Sequence, residues 1–315
     1  MTVSLSCTAN GVYWDREQDA ELVCLDVCRE THDVKTFTFK AKGERYFSFE
    51  AGQYFTLEVP VGGAIEHRCY TLSSSPLRPR TISITVKRVA GGLVSNWLHD
   101  NLRPGMTLTA HGPAGTFTLP AGGAGKYLFL SGGVGITPVM SISRALADAA
   151  TVPDIVFLHA ARTPDDLIFP QELSLLARSI PNFRLLLLPE KIGQNHDFPG
   201  ISGRISEDLL ELAVPDINQR LVMSCGPAPF MEITRTACTA LGVPKSHYLE
   251  ESFNAAVLVD AEIDPPQDDE LSGFNITFSK QARTITASSK QSVLAAAKKN
   301  GIRLPSSCSN GVCGT

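Results

Sequence analysis

The stretch KYLFLSGGVGITPVMSISRALADA (126–149) decides the fold of the second half of the chain. A continuous apolar run at 126–132 leads into a glycine-rich turn and then into a helical segment at 139–149. A buried strand that leads into a helix in this way begins a βαβ unit. The pattern repeats and predicts a parallel sheet, with strands at 154–161, 183–190, 220–226 and 247–253 and helices at 165–180, 206–214 and 228–242.

The turn SGGVGITP (131–138) lies where open α/β sheets bind ligands, at the carboxyl ends of the strands. Glycines let the backbone approach a pyrophosphate, and the following helix offers free N–H groups at its N-terminus. Pro138 stands where a G-x-G-x-x-G fingerprint has its third glycine, so the turn fits a nucleotide site and a plain connection equally well. A second glycine turn, SCGPAPF (224–230), at the same sheet edge favours a dinucleotide cleft.

Residues up to about 120 show the short alternating strands of an antiparallel barrel or sandwich. In RCYTLSS, alternation places Arg68 and Tyr70 on one face, a guanidinium for phosphate beside a flat ring. Thr71 points the other way or begins a turn. On the pair alone, a surface arginine and a half-buried tyrosine, which are normal in any antiparallel sheet, are the better explanation. GGLVS (91–95) offers another glycine turn before a helix. The predicted strands are 21–30, 35–41, 54–60, 67–73 and 81–89, and the helix is 91–102.

Composition and charge exclude several classes of protein. The chain has 315 residues, 43% hydrophobic and 19% charged, with a formal net charge of −4, which indicates about two globular domains and no nucleic-acid partner. No apolar run approaches the roughly 20 residues of a bilayer span, and the N-terminus lacks a secretory signal pattern. We therefore expect a cytoplasmic protein without a membrane partner, whose eight cysteines are thiols.

The last part of the chain combines an acidic segment with two cysteines. Residues 260–273 carry six acids, no bases and two prolines, which is typical of a linker, although an acidic surface loop fits as well. A hairpin (274–280, 284–287) and a helix (292–301) are predicted to follow. Cys308 and Cys313 have the C-x4-C spacing that begins the ligand run of plant-type [2Fe–2S] ferredoxins, in the loop LPSSCSNGVCGT.

Because such a cluster takes four cysteines, the third and fourth ligands of that run are missing here. We expect a ferredoxin domain truncated from a longer protein, or else a genuine C-terminus with two idle thiols. Either way, residues 273–315 should hold no intact cluster.

The order RCYTLSS, VKRVAGGLVS, GPAGTF, SGGVGITP, SCGP, ESF resembles ferredoxin–NADP reductase-like flavoproteins over about residues 20–253. The resemblance implies a multidomain α+β protein with a flavin-binding antiparallel β-barrel, an α/β parallel-sheet NAD(P)-binding domain and a partial ferredoxin-like β-grasp segment. The expected boundaries are an extension at 1–19, an FAD-binding barrel at 20–122, an NAD(P)H-binding domain at 123–255, a linker at 256–272 and a truncated ferredoxin domain at 273–315.

The resemblance also assigns flavin contacts. Arg68 would hold the pyrophosphate, Tyr70 would lie against the isoalloxazine ring, and Thr71 would hydrogen-bond near its reactive nitrogen. Gly92 and Ser95 would close on the diphosphate, and this GxxS turn favours FAD over FMN. The implied flavin contacts are Arg68, Tyr70, Thr71, Leu72, Val86, Lys87, Arg88, Gly92, Leu93, Val94, Ser95 and Phe253.

On the nicotinamide side, the resemblance places the NAD(P)H diphosphate on the first glycine turn and the nicotinamide near Cys225. Glu190, followed by the single base Lys191, suits the free ribose hydroxyl of NADH better than a 2′-phosphate. Cys225 has no histidine near it in the sequence and belongs to no triad pattern, so we do not expect it to be a catalytic nucleophile. The implied contacts are Gly133, Gly135, Thr137, Pro138, Arg162, Cys225, Gly226 and Pro227, and the implied catalytic residues are Thr71, Cys225 and Glu251.

The function implied is transfer of electrons from NADH through FAD, and through a [2Fe–2S] cluster in the full-length protein, to a Rieske-type oxygenase. A flavin handles both two-electron and one-electron chemistry, which suits it to this position. Two alternatives remain open at this point: the reductase of a hybrid-cluster protein, and a nucleotide-binding regulatory module without turnover.

Overall fold

A computed structural model describes residues 11–15, 19–193, 197–253, 273–279, 282–288 and 293–302. The chain consists of two compact units, Met1–Phe253 and Asn254–Thr315. Among the described residues, no helix combines the length and apolar character that a membrane crossing needs.

The first half of the larger unit is an antiparallel six-stranded sheet in the order β4-β3-β6-β1-β2-β5, as the sequence predicts. Alternate residues such as Phe37, Phe39 and Leu57 are fully buried and fill its interior. Strand β6, which contains Gly112 and Pro113, was not located from the sequence. The elements are β1 (Glu21–Arg29), β2 (Val34–Ala41), β3 (Tyr54–Val61), β4 (Ala64–Thr71), β5 (Ile82–Lys87), α1 (Leu93–Asn101) and β6 (Thr107–Ala114).

The second half is a five-stranded parallel sheet with helices on both faces, again as predicted. The order β11-β10-β7-β8-β9 means that the chain leaves β7 in one direction and returns on its other side at β10. Ligands of such sheets bind at this change of direction. The elements are β7 (Lys126–Gly132), α2 (Ile136–Asp148), β8 (Asp154–Ala161), α3 (Pro170–Ser179), β9 (Phe183–Pro189), α4 (Glu207–Ala213), β10 (Leu221–Gly226), α5 (Ala228–Ala240) and β11 (Tyr248–Ser252).

One helix boundary was predicted wrongly. The helix expected over 165–180 begins only at Pro170, and Phe169 before it adopts a left-handed conformation with φ 57°. Proline disfavours helical backbone at the residue before it but suits the first helical turn, so it starts this helix and does not interrupt it.

The smaller unit contains the predicted hairpin and helix. Strands β12 (Gly273–Phe278) and β13 (Arg283–Ser288) pair antiparallel, and helix α6 (Val293–Lys299) follows. Ile285, Ala296 and Ile302 belong to its small core. Most of the N-terminal extension, all of the predicted linker, and Cys308 and Cys313 lie outside the described residues.

Candidate functional site

Strands β4 and β5 are the two end strands of the barrel sheet. An antiparallel bridge between Leu72 and Ile84 brings them together at one point. Continuing that register places Arg68 across from Arg88, but in the described part of the chain no strand pairing joins β4 to β5 there. The barrel therefore has a gap between the two segments to which flavin contacts were assigned.

Arg68 and Tyr70 lie on the edge of this gap. The Arg68 side chain is 48% exposed, donates to the His67 carbonyl at 2.7 Å and lies 3.4 Å from the Glu66 carboxylate. An exposed pair of this kind contributes little, so a phosphate could take the guanidinium over. The Tyr70 ring packs against the barrel core, and burial raises the pKa of its phenol.

At the neighbouring positions, the side chains are buried in the core or paired within the protein. Leu72 and Val86 are 0% and 1% exposed, so their side chains belong to the core. Lys87 forms an ion pair with Asp33 at 2.9 Å, and Arg88 pairs with an aspartate of α1. Both cations are thus engaged within the protein, which fits the expectation that their backbone, not their side chains, would follow the flavin.

The N-terminus of α1 offers a place for phosphate. Gly92 precedes the helix without a side-chain cap, and a Cβ there would lie 2.7 Å from Ser95 Oγ. Ser95 Oγ accepts the Val89 N–H at 3.2 Å, while Val94 is buried and Leu93 is exposed. The first N–H groups of the helix have no intrahelical acceptor and carry partial positive charge, so they fit a diphosphate.

The glycine turn after β7 is packed into the sheet. Gly133 has φ +52°, and a Cβ on Gly135 would collide with the Cys225 carbonyl. The Thr137 hydroxyl donates to the Val134 carbonyl at 3.2 Å, and Thr137 is only 2% exposed. Pro138 is buried as well. These side chains build the turn, so the groups that the turn can offer a diphosphate are those of its backbone.

The end of β10 lies directly beside this turn. Cys225 pairs in register with Ser131 of β7 and with Glu251 of β11. Burial, and next the Glu251 charge, raise the pKa of the Cys225 thiol well above its usual value, so the thiol is neutral and poorly suited to be a nucleophile. A Cβ on Gly226 would approach Phe230 to 2.7 Å, so glycine allows this close packing; Pro227 follows at the surface.

At the candidate site itself, one contact between the barrel and the parallel sheet is made by the side chains of Thr71 and Glu251. The Thr71 hydroxyl donates to Glu251 Oε2 at 3.4 Å. Burial raises the pKa of the Glu251 carboxyl to about 7, and the Thr71 hydrogen bond opposes this rise only in part. Because Glu251 also neighbours Cys225, the structure brings all three implied catalytic residues together. Phe253, 39% exposed, follows Glu251 at the end of the strand.

Two arginines, Arg162 and Arg204, lie near Glu190, the residue expected beside the ribose. Arg162 is exposed just after β8 and accepts the Lys191 N–H with its carbonyl. Arg204 donates to Glu190 Oε2 from both Nε and an Nη at 3.2 Å. In the sequence, Lys191 is the only base close to Glu190. Arg204 was not predicted to lie here, because it belongs to a later segment of the chain and no sequence pattern indicates that it contacts Glu190.

These features together fit FAD and a nicotinamide dinucleotide: an open barrel edge, a helix N-terminus with a glycine cradle, and a glycine turn at the change of strand direction. The fold and the site define a flavin- and nicotinamide-dependent reductase. Models of an oxidoreductase FAD-binding domain, an oxidoreductase NAD-binding domain and a 2Fe-2S iron-sulfur cluster binding domain match residues 23–119, 129–236 and 276–315.

The comparisons with curated proteins and solved structures agree. The glycine betaine monooxygenase reductase subunit of Chromohalobacter salexigens is 40% identical over 303 residues, covering 93% of this chain and 82% of the relative. The stachydrine N-demethylase reductase subunit of Rhizobium meliloti is 39% identical, covering 94% and 85%. The FAD/NAD-binding domain of nitric oxide dioxygenase from Vibrio cholerae matches with TM-score 0.68 and 28% identity, covering 75% of this chain and 99% of that one. The chain belongs to the ferredoxin–NADP reductase-like flavoprotein oxidoreductases that carry an iron–sulfur domain.

Proposed function

We propose that this protein is the reductase component of a Rieske-type oxygenase and passes electrons from NADH through FAD and a [2Fe–2S] cluster to that oxygenase. The relatives described above are reductase subunits of a monooxygenase and of an N-demethylase, which supports an oxygenase partner. The observation that carries the proposal is the Thr71–Glu251 contact beside Cys225, which joins the flavin edge to the nicotinamide edge. The two alternative functions draw no support from these relatives.

When bound, FAD would accept a hydride and release the electrons one at a time. Arg68 and the N-terminus of α1 hold its diphosphate by charge-assisted hydrogen bonds. Tyr70 provides a flat apolar surface for the ring. The neutral Cys225 thiol and the backbone at Gly226 border the nicotinamide without adding charge.

Glu251 and Thr71 act on protons. With a pKa of about 7, the Glu251 carboxyl is protonated in a large fraction of molecules near neutral pH. It can therefore hold a proton at Oε2 and exchange it with the Thr71 hydroxyl 3.4 Å away. Thr71 presents that hydroxyl at the flavin edge, so the pair supplies or accepts a proton without exposing the site to bulk water.

Glu190 favours NADH over NADPH. Its carboxylate directly follows β9, where it suits a free ribose hydroxyl and repels a 2′-phosphate, and its exposed pair with Arg204 offsets part of the positive charge that would attract such a phosphate.

Cys308 and Cys313 are two of the four cluster ligands in this proposal, within the segment that matches the 2Fe-2S domain model. A reducing cytosol suits the five described cysteines, all of which are free.

An anaerobic absorption titration tests the proposed function. The purified protein should contain one FAD per chain, and NADH should bleach its yellow colour at far lower concentrations than NADPH. Bleaching by dithionite but not by NADH would refute the nicotinamide assignment. Reduced protein should then reduce a Rieske-type oxygenase component faster than a hybrid-cluster protein, and the reverse preference would refute the partner.

A further inference from the structure

Helix α2, which starts at the nicotinamide glycine turn, contacts the barrel through one face. Ser141, Arg144 and Asp148 are spaced i, i+3, i+7 and so lie on the same side of the helix. All three bind the barrel segment 73–78, which begins two residues after Thr71. We call these three side chains and segment 73–78 the α2 seam.

The contacts of the α2 seam are polar and short. Ser141 Oγ donates to the Ser74 carbonyl at 2.6 Å. Asp148 accepts two hydrogen bonds from the Arg78 guanidinium, at 2.8 and 2.7 Å, near the surface. The Arg144 side chain is only 13% exposed, so this cation is largely shielded from water.

Arg144 is held in one orientation from three directions. Its guanidinium binds both carboxylate oxygens of Glu172 on α3, at 2.8 and 2.6 Å. It lies 4.7 Å from the centre of the Phe169 ring, the left-handed residue before α3. The remaining Nη1 donates across to the Ser73 carbonyl at 2.5 Å. A guanidinium fixed by a bidentate carboxylate and a ring loses little further freedom when it makes this last bond.

Ser73 is hydrogen-bonded to the strand on the other side of the flavin gap. Its N–H donates to the Ser83 carbonyl at 2.8 Å, and its hydroxyl lies 3.0 Å from the Thr85 hydroxyl on β5. Ser73 therefore connects the end of β4 to β5, the two strands that border the gap. A donor anchored on α2 and α3 that binds Ser73 fixes both strands relative to the nicotinamide turn.

The surroundings of the Arg144–Ser73 hydrogen bond are largely polar. Beside the α2 seam lies a cavity of about 560 Å³ whose lining includes hydroxyl and charged groups from Thr36, Thr38, Ser83 and Glu172. A polar cavity at an interface contributes no close packing that would hold the two halves in register. Beside this cavity, the contacts between α2 and segment 73–78 are the directed polar ones described above, whereas apolar packing joins the two halves elsewhere, at Val34, Ala51 and Phe117.

We propose that Arg144 is a positioning residue for hydride transfer: it holds the flavin strands at Ser73 in register with the nicotinamide turn at the start of α2. The proposal rests on the proposed function and adds a residue that touches neither cofactor. Reacting atoms must lie about 3–3.5 Å apart, and a misplacement of about 1 Å costs on the order of 100-fold in rate.

The test compares Arg144→Met, Arg144→Lys and a control, Arg184→Met, in the FAD-loaded full chain. Arg184 also donates to a backbone carbonyl, that of Ala213, but within the parallel-sheet half. Hydrogen–deuterium exchange without NADH should show segments 73–78 and 136–148 exchanging several-fold faster in Arg144→Met than in wild type. Arg184→Met should leave both segments unchanged.

Stopped-flow flavin reduction at saturating NADH gives the second readout. Arg144→Met should be slower by roughly 10- to 100-fold, and Arg144→Lys, which keeps a donor for Ser73 but not the bidentate pair, should fall between it and wild type. Reoxidation of dithionite-reduced flavin by ferricyanide needs no nicotinamide and should keep its wild-type rate in all variants.

Each result decides the matter. Wild-type reduction rates in Arg144→Met, equal slowing in Arg184→Met, or slowing that tracks lost FAD would overturn the positioning role. If Arg144→Met does not fold, Arg144→Lys carries the comparison. If wild-type protein is not reduced by NADH, the proposed function is refuted instead. The exchange data would still test whether Arg144 holds segment 73–78 against α2.

Discussion

The two glycine turns that precede helices, one before α1 and one before α2, use glycine for different physical reasons. Before α1, Gly92 has ordinary backbone angles and leaves a cradle beside Ser95, next to an exposed Leu93. Before α2, Gly135 is pressed against the Cys225 carbonyl, and Thr137 is buried. The first turn leaves room for a ligand, whereas the second leaves room for the protein's own backbone.

A glycine turn in a sequence therefore does not show whether the space beside the glycine is filled by a ligand or by the protein's own backbone. The first turn should tolerate the loss of its glycine better, since the nearest atom to a new Cβ is the flexible Ser95 hydroxyl at 2.7 Å, and Val89 Cβ and O lie at 3.1 and 3.2 Å. The second should not tolerate this loss, since backbone atoms of β10 occupy the space. Substitutions at the two turns should therefore affect different properties of the protein.

Gly135→Ala should have the largest effect. The new Cβ must displace the backbone at Cys225 and Gly226, which moves the end of β10 that borders the nicotinamide. We expect NADH-dependent flavin reduction to fall by more than about 100-fold, together with a lower midpoint of thermal unfolding. Stopped-flow absorbance and calorimetry measure these two quantities.

Gly193→Ala is the matched control for that substitution, because a Cβ there meets nothing within 4 Å. It should leave the unfolding midpoint and the reduction rate within experimental error of wild type. A Gly135→Ala protein with near-normal reduction would show that the second turn tolerates movement and would remove the contrast between the turns.

Glu251→Gln should have the next largest effect, on stability. The carboxyl beside the second turn has a pKa of about 7 in the folded protein against 4.5 as its ordinary value, so folding favours its protonated form. Its stabilising contribution is complete below pH 4.5 and is lost as pH rises through 7. Glu251→Gln should therefore be more stable than wild type by up to about 3 kcal/mol at pH 8, and much less so at pH 5.

Urea unfolding at the two pH values measures this difference. Glu250→Gln serves as control, because Glu250 forms a surface ion pair with Arg235. Its effect should stay within about 1 kcal/mol at both pH values. A Glu251→Gln difference that does not change with pH would show that the carboxyl is not held in its protonated form.

Gly92→Ala should act on FAD binding and leave the fold intact. The Cβ would lie 2.7 Å from Ser95 Oγ, so the hydroxyl must move into the space kept for the diphosphate. We expect the FAD dissociation constant to rise roughly tenfold, as loss of about one charge-assisted hydrogen bond does, with little change in the unfolding midpoint of the FAD-free protein. Fluorescence titration with FAD measures the constant.

Ser95→Ala separates the two contributions at this turn. If displacement of the hydroxyl causes the loss, Gly92→Ala combined with Ser95→Ala should bind FAD no more weakly than Ser95→Ala alone. A further drop in the double variant would mean that the added methyl group itself blocks the cradle.

The alternation of strands and helices could be predicted because fully buried parallel strands are continuous apolar runs. The strand that carries Arg68, Tyr70 and Thr71 could also be predicted, since these residues alternate between the two faces of a pleated strand. Arg144 could not, because a single cation in an apolar helix does not indicate where its guanidinium is bound. Pro170 marks the start of α3 in the sequence, but the predicted helix began earlier, at residue 165, because it included the apolar run before the proline.

The preference for NADH over NADPH also depends on a contact that the sequence does not indicate. A substitution that alters this contact should have the smallest of the effects described. From the sequence, Glu190 is near a single base, but in the fold Arg204 binds its carboxylate, with 74% of the arginine side chain exposed. Glu190→Gln frees that guanidinium, so the ratio of kcat/KM for NADPH to that for NADH should rise roughly fivefold, about 1 kcal/mol. Steady-state ferricyanide reduction with each nucleotide measures the ratio. Adding Arg204→Gln should cancel the rise, and a rise that persists in the double variant would place the 2′-phosphate on another cation.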